Sequence, residues 1–254
     1  MAISKKKKTI TKCSLPTEQT DGKMKLSEIR MLIMGPPKAG KSTLCSGFPN
    51  ALFLATEKGY GALKIYVKDI MTWQDFKDIV KDIVKGKHEF KTIVIDTADI
   101  LFKLCADDGC DKLGIDHMSD GDFGKGYSIV TDEFDRELNK LFMTNYGIIL
   151  ISHIKVQELI GRYGKSMKIV PTLSNQARRV IMPKVDIIGY LNSKLIKIDD
   201  KKYKQKRIIN FEPSEELECG DRTGMLPSEI VCYKDPKKTY DEFYKYFNDK
   251  KGGE

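Results

Sequence analysis

The sequence predicts an α/β fold, a mostly parallel sheet with helices on both faces, extended by antiparallel hairpin strands. Three observations predict it. Gly35-Pro36-Pro37-Lys38-Ala39-Gly40-Lys41-Ser42 fits G-x-x-x-x-G-K-[ST] and lies between an apolar run, Ile29 to Met34, and a helix opening at Ser42-Thr43-Leu44. Downstream, short apolar runs alternate with stretches of helical periodicity. From Val185 onward, paired β-runs replace that alternation.

The elements follow in order. Ala51 to Glu57 is a compact apolar run with a polar end, a second buried strand, and Lys64 to Lys68 is a short further strand. Trp73, Phe76, Ile79, Val80, Ile83 and Val84 recur at helical spacing, Thr72 and Asp75 form a capping box, and Gly86 is the stop. Thr92 to Asp96 is the next strand, and a helix begins over Ile100 to Cys105. Asp107 to Gly126, rich in Gly and Asp, reads as a long loop. Tyr127 to Phe142 is amphipathic, with Ile129, Val130, Phe134, Leu138, Leu141 and Phe142 inward. Gly147 to His153 is another buried strand. Lys155 to Pro171 is a hairpin or mobile loop with Gly161 to Lys165 at its tip. Ser174 caps a short helix to Met182. Val185 to Leu191 is a strand, Leu195 to Asp199 pairs with Arg207 to Phe211, and Pro236 to Asp249 is a terminal helix.

Composition bounds the class. The chain has 254 residues, 41% of them hydrophobic, enough for one large domain. We divide it into a flexible basic arm (1–25), a core (26–230), and a C-terminal helix with tail (231–254). No apolar window approaches the roughly 18 residues of a membrane span, and no signal-peptide core is present. The six cysteines are scattered without a C-x-x-C pair, which disfavours zinc and fits reduced thiols in the cytoplasm. The net charge of +8 suits a polyanionic partner. Part of the excess is Lys5-Lys6-Lys7-Lys8 with Lys12, which is either a solvated tail or a source of weak, salt-sensitive nucleic-acid contacts.

The glycine-rich octapeptide carries the chemistry. Gly35 and Gly40 allow tight turns, so that N–H groups of Pro36-Pro37-Lys38-Ala39-Gly40-Lys41-Ser42-Thr43 converge on phosphate oxygens, prolines excepted. The following helix adds its positive end. Lys41 would reach the β- and γ-phosphates, and the Ser42 hydroxyl would hold Mg²⁺. Asp96, ending an apolar strand downstream, is the acidic partner for that ion. Glu57 ends the strand after the first helix, where a carboxylate can polarise a water in line with the γ-phosphate. Glu57, Asp96, His153 and the loop all fall at carboxyl ends of strands, the rim where ligands sit in such sheets.

Strand-Thr56-Glu57, Val94-Ile95-Asp96-Thr97 and Ile149-Leu150-Ile151-Ser152-His153-Ile154-Lys155 together resemble the RecA-type P-loop ATPase core. The resemblance spans residues 26 to 230 and is nearest to minimal phage-encoded RecA/RadA-type proteins of single-strand annealing and recombination, also described as AAA-type phage nucleotide-binding proteins. It implies ATP and Mg²⁺ as ligands, and Glu57 as the group that activates water. Ser152-His153 stands where the family has an Asn-Gln pair that senses the γ-phosphate. Asp107–Gly126 and Lys155–Thr172 match the two DNA-binding loops, the second carrying Lys155, Arg162, Tyr163, Lys165 and Lys168. Gly220-Asp221-Arg222-Thr223-Gly224 is similar to a RadA-type stretch, which implies that Arg222 acts on a neighbouring protomer's nucleotide.

The resemblance therefore implies an ATPase acting on single-stranded DNA, working as a homo-oligomeric filament or ring, with a single-strand-binding protein as a further partner and no membrane. Two other readings of the residues remain at this level. One is a ring-forming phage helicase or other DNA motor. The other is a nucleotide-gated binding protein with negligible turnover. No Asn/Thr-Lys-x-Asp element of the kind that reads guanine is present.

Overall fold

The computed structural model describes residues 15–19, 22, 24–161, 164–199 and 202–248. The basic run at Lys5–Lys8, Lys12, and the tip residues Arg162 and Tyr163 lie outside them. The chain runs β1 (Arg30–Met34), α1 (Lys41–Cys45), β2 (Ala51–Ala55), β3 (Tyr66–Asp69), α2 (Trp73–Lys85), β4 (Thr92–Asp96), α3 (Ala98–Leu113), α4 (Lys125–Phe142) and β5 (Gly147–Ser152). It continues through β6 (Ile154–Gly161), β7 (Gly164–Pro171), α5 (Asn175–Ile181), β8 (Ile187–Asp199), β9 (Lys202–Asn210), β10 (Gly220–Asp221), β11 (Glu229–Cys232) and α6 (Pro236–Asn248).

The main sheet has the order β11-β9-β8-β1-β5-β4-β2-β3, with β10 added to β8. The pairs from β8 through β1, β5, β4 and β2 to β3 are parallel, while β9, β10 and β11 pair antiparallel. β2, β4 and β5 are buried along their whole length, as expected for parallel strands covered on both faces. Alternation within each strand decides which layer a side chain enters. Leu32, Leu52 and Leu54 point to the side that packs α2, α3, α4 and α5. Met31, Ile33 and Phe53 point to the side covered by α1 and α6.

Local chemistry sets the helix limits. Thr72 Oγ1 accepts the Asp75 N–H at 3.1 Å, the Asp75 carboxylate accepts the Thr72 N–H at 2.9 Å, and Gly86 ends α2 in the left-handed conformation. Trp73, Phe76, Val80 and Ile83 face the core, and Trp73 stacks on Phe76 with centroids 5.1 Å apart. Ser174 Oγ caps α5 by accepting the Ala177 N–H.

Four expectations need correction. The stretch Asp107–Gly126 is not a loop throughout, because α3 continues to Leu113 and Gly114 caps it. Gly109 lets α3 approach α4: a Cβ there would meet Val130 Cγ2 at 2.6 Å. The remaining connection holds two short 3₁₀ turns, Met118–Asp120 and Asp122–Gly124. Ile129 is exposed, on the edge of the α4 stripe, while Val130 and Phe134 are buried. β3 lies about two residues later than expected, over Tyr66–Asp69. Finally, β8 and β9 are long strands in another register than expected: Leu195 pairs with Gln205, the polar Asn192-Ser193-Lys194 with Ile208, Arg207 and Lys206, and the register shifts between Lys197 and Asp199.

The terminal helix belongs to the core. Phe243 is fully buried, Phe247 nearly so, and Phe48 packs edge-on to Tyr240 at 5.1 Å. α6 comes so close to the end of α1 that a Cβ on Gly47 would lie 2.1 Å from the Pro236 carbonyl oxygen. Gly47→Ala is therefore expected to lower unfolding free energy by about 1–3 kcal/mol, the usual cost of overpacking. Denaturant titration of the two proteins measures it, and equal stabilities would contradict this packing.

Candidate nucleotide-binding site

β1 delivers the loop at its carboxyl end. Gly40 caps α1 with φ +96°, and Lys38 also lies in the left-handed region at +62°. The two glycines answer to neighbours as well as to the turn. A Cβ on Gly35 would lie 2.4 Å from the Leu191 carbonyl oxygen, and one on Gly40 2.2 Å from Arg207 Nη1. α1 has only five residues, so the expected contribution of a helix dipole is confined to a single turn. The Leu44 N–H bonds the Gly40 carbonyl at 2.9 Å, and the amides ahead of it are those a helix start leaves without intrahelical partners.

Lys41 is 6% exposed. Its ammonium donates to the carbonyls of Gly35 (2.9 Å) and Pro36 (3.0 Å) and lies 3.3 Å from His153 Nδ1. Burial lowers its pKa, and the carboxylates of Asp96, Asp99 and Glu57 oppose that fall. Ser42 Oγ donates to Asp96 Oδ2 at 2.6 Å. The hydroxyl–carboxylate pair is the donor set Mg²⁺ takes when substrate phosphates and water complete its shell. Among the described residues no group of three His, Cys, Asp or Glu side chains could hold a metal by themselves. Glu57 is exposed and lines the same cleft, which measures about 340 Å³ and is also lined by Lys38, Gly40, Lys41, Thr43, Tyr60, Asp96 and His153.

Several residues hold this rim together, among them Tyr60 and Asp99, which the sequence had not singled out. Thr56 Oγ1 donates to the Asp96 and Thr97 carbonyls and accepts the Thr97 N–H at 2.9 Å. The Tyr60 hydroxyl donates to the Asp96 carbonyl, and burial together with Asp96 pushes its pKa up. Asp99 Oδ1 accepts from Ser152 Oγ (3.1 Å) and Thr172 Oγ1 (2.7 Å), joining the end of β5 to the end of the β6–β7 hairpin. Ser152 is fully buried in that network, so of the Ser152-His153 pair only the histidine faces the cleft. An acidic residue in the first turn after Asp96 was the one available signal for Asp99. Arg207 had none, since only the pairing of β9 brings it to the loop.

The sequence pattern of the AAA domain family matches residues 27–223, from just before β1 to just past Arg222, with Lys41, Glu57, Asp96 and His153 inside. The chain belongs to the AAA domain family. It is also similar to the SPbeta prophage-derived uncharacterized protein YorG of Bacillus subtilis (strain 168), 26% identical over 175 residues, covering 66% of this chain and 52% of that protein. The chain thus spans about half the length of that relative. An AAA domain implies nucleotide binding, and the cleft supplies the residues for it.

Other expected site residues of this AAA domain lie elsewhere. Arg222 is at the entry to β8, beside Asp186, whereas the loop abuts that strand at Leu191. Its guanidinium donates to the Pro183 (2.8 Å) and Val185 (2.9 Å) carbonyls and lies 3.6 Å from Asp186, so it braces the entry to β8. Lys155 and Lys168 fall on one face of the β6–β7 hairpin, across the diagonal of its ladder. Lys165 is on the other face, in an ion pair with Glu158 at 2.8 Å. In the first expected DNA loop, Asp108 pairs with Lys112, and Asp120 accepts the His117 N–H. No helix among the described residues is long and apolar enough to cross a membrane.

The lowered pKa of Lys41 predicts the pH response of nucleotide binding. Phosphate contact requires the protonated amine, and the free protein loses that proton below the ordinary lysine range. Affinity should therefore begin to fall with rising pH before the ordinary lysine pKa of about 10.4 is reached. Lys41→Arg, which stays charged, should flatten the profile. Fluorescence titration with a labelled nucleotide at rising pH decides the matter, and a flat wild-type profile would exclude Lys41 as the responsible group.

Proposed function

We propose that this protein is a Mg²⁺-dependent ATPase of RecA-like design that acts on single-stranded DNA in phage recombination or annealing. The observation that carries the reading is the position of His153. Its ring lies 3.3 Å from the Lys41 ammonium, its carbonyl accepts the Thr172 N–H at 3.0 Å, and β6 begins at the next residue. One residue therefore touches both the phosphate-binding lysine and the two roots of a basic hairpin.

The residues divide the work. Lys41 would hold the β- and γ-phosphates and loop amides the α- and β-phosphates. Ser42 and Asp96 would hold Mg²⁺, which supplies charge neutralisation at the phosphate oxygens. Glu57 would orient the attacking water, and His153 would report the γ-phosphate to the hairpin. Lys155 and Lys168 would meet the DNA backbone, a contact that weakens with salt. Arg222 would serve a neighbouring protomer in a homo-oligomer, releasing Pro183 and Val185 as it does so. The prophage origin in the relative's name supports the phage setting.

The test is ATP hydrolysis with and without single-stranded DNA, at low and moderate salt. Expected are DNA-stimulated turnover, its loss in Lys41→Ala, slowed hydrolysis with retained ATP binding in Glu57→Gln, and loss of most stimulation in the Lys155→Ala, Lys168→Ala double variant. Turnover indifferent to DNA would remove single-stranded DNA as the partner and leave the ATPase.

A further inference from the structure

The antiparallel extension touches the phosphate loop at two points. At the first, the Leu191 carbonyl abuts Gly35. At the second, the Arg207 guanidinium lies over Gly40, with Nη1 where a Cβ on that glycine would otherwise sit. Arg207 is in the middle of β9, opposite Ser193 on β8 and Cys232 on β11, so its backbone is held from both sides. It is half-buried. The likewise half-buried Arg30 and Arg178 donate to the Phe142 carbonyl and to the Glu218 carboxylate. Among the described residues, Arg207 has no such hydrogen bond or ion pair.

A guanidinium held at the loop without a protein acceptor leaves its donor fork available to an anion. The position of Arg207 along the loop selects which anion. Lys41, the Ser42–Asp96 pair, Glu57 and His153 lie together in one cleft and mark the γ-phosphate and Mg²⁺ end. Arg207 lines a narrow groove on the other flank with Gly40, Thr43, Leu191 and Tyr233. Loop amides cradle the α- and β-phosphates, while the lysine reaches β and γ. The planar fork of an arginine suits two oxygens of such a group.

We infer that Arg207 is a phosphate ligand supplied by the same chain, its guanidinium holding the α- and β-phosphates of the nucleotide on the flank away from Lys41. This rests on the reading of the loop as a nucleotide site. It assigns to the β8–β9 hairpin a part in binding that belongs equally to the diphosphate and the triphosphate.

The test is calorimetric binding of ADP and of ATP with Mg²⁺ to the full chain, for wild type, Arg207→Gln, Arg207→Lys and Lys41→Ala. Arg207→Gln should weaken ADP and ATP by the same factor, about tenfold or more, with Arg207→Lys recovering part of it. Unchanged affinities would overturn the assignment. A loss confined to ATP would move the contact to the γ-phosphate and overturn it as well. No recovery by lysine, with a lowered unfolding midpoint in the absence of nucleotide, would make Arg207 a structural brace and overturn it too. Failure of wild type to bind either nucleotide, or indifference to Lys41→Ala, would instead remove the nucleotide site itself.

Discussion

The carboxyl rim of the sheet is organised around Asp96. Its side chain accepts from Ser42 at the start of α1, and its backbone carbonyl accepts from Thr56 and Tyr60 beyond β2. β4 and β1 are not neighbours, since β5 lies between them. The Ser42–Asp96 bond therefore spans a strand and ties the loop to the sheet in a second dimension. The same carboxylate also favours the protonated form of buried Lys41. A cation at 6% exposure is tolerable only with such compensation. The loop carbonyls of Gly35 and Pro36 complete it.

That arrangement explains why an extension foreign to the parallel sheet is placed where it is. β8 passes directly beside β1, so its Leu191 carbonyl can seat Gly35. β9 then returns alongside β8 and brings Arg207 over Gly40. On the far side α6 covers α1 through Phe243 and Phe247. The loop is thus gripped by parallel strands below, by the antiparallel ribbon at its flank, and by a helix beyond the segment that matches the AAA domain family.

The strands, caps and loop were legible because each carries a local signature. Continuous apolar runs marked β1, β2, β4 and β5, and Thr72 with Asp75 marked the start of α2 to the residue. What was illegible depends on contacts between distant segments. The glycines of Asp107–Gly126 read as loop residues, and only Val130 on α4 shows why a helix carries Gly109. Asp107, Asp108 and Asp111 read as loop because polar residues on an exposed helix face look the same as polar residues in a loop. The middle of β8 is polar because the ribbon there extends past the covering layers. Ser152, Asp99 and Thr172 form one hydrogen-bonded group and Thr56 bonds the backbone of Asp96 and Thr97, yet nothing in their spacing announces either. Arg207 illustrates the limit best, since its partner Gly40 is joined to it only through sheet order.

The β6–β7 hairpin, a two-stranded sheet of its own, is also a lever. Each arm has eight residues, which gives a length of about 26 Å on a base only about 5 Å wide. Its base is pinned where Asp99 holds Thr172 and where the His153 carbonyl receives the Thr172 N–H. A shift of about 0.5 Å across such a base swings the far end by about 2–3 Å, by the ratio of those lengths. By that ratio a small displacement at His153 would be enlarged at the far end, against the backbone bonds that Ile169 makes with Glu216 and Glu218.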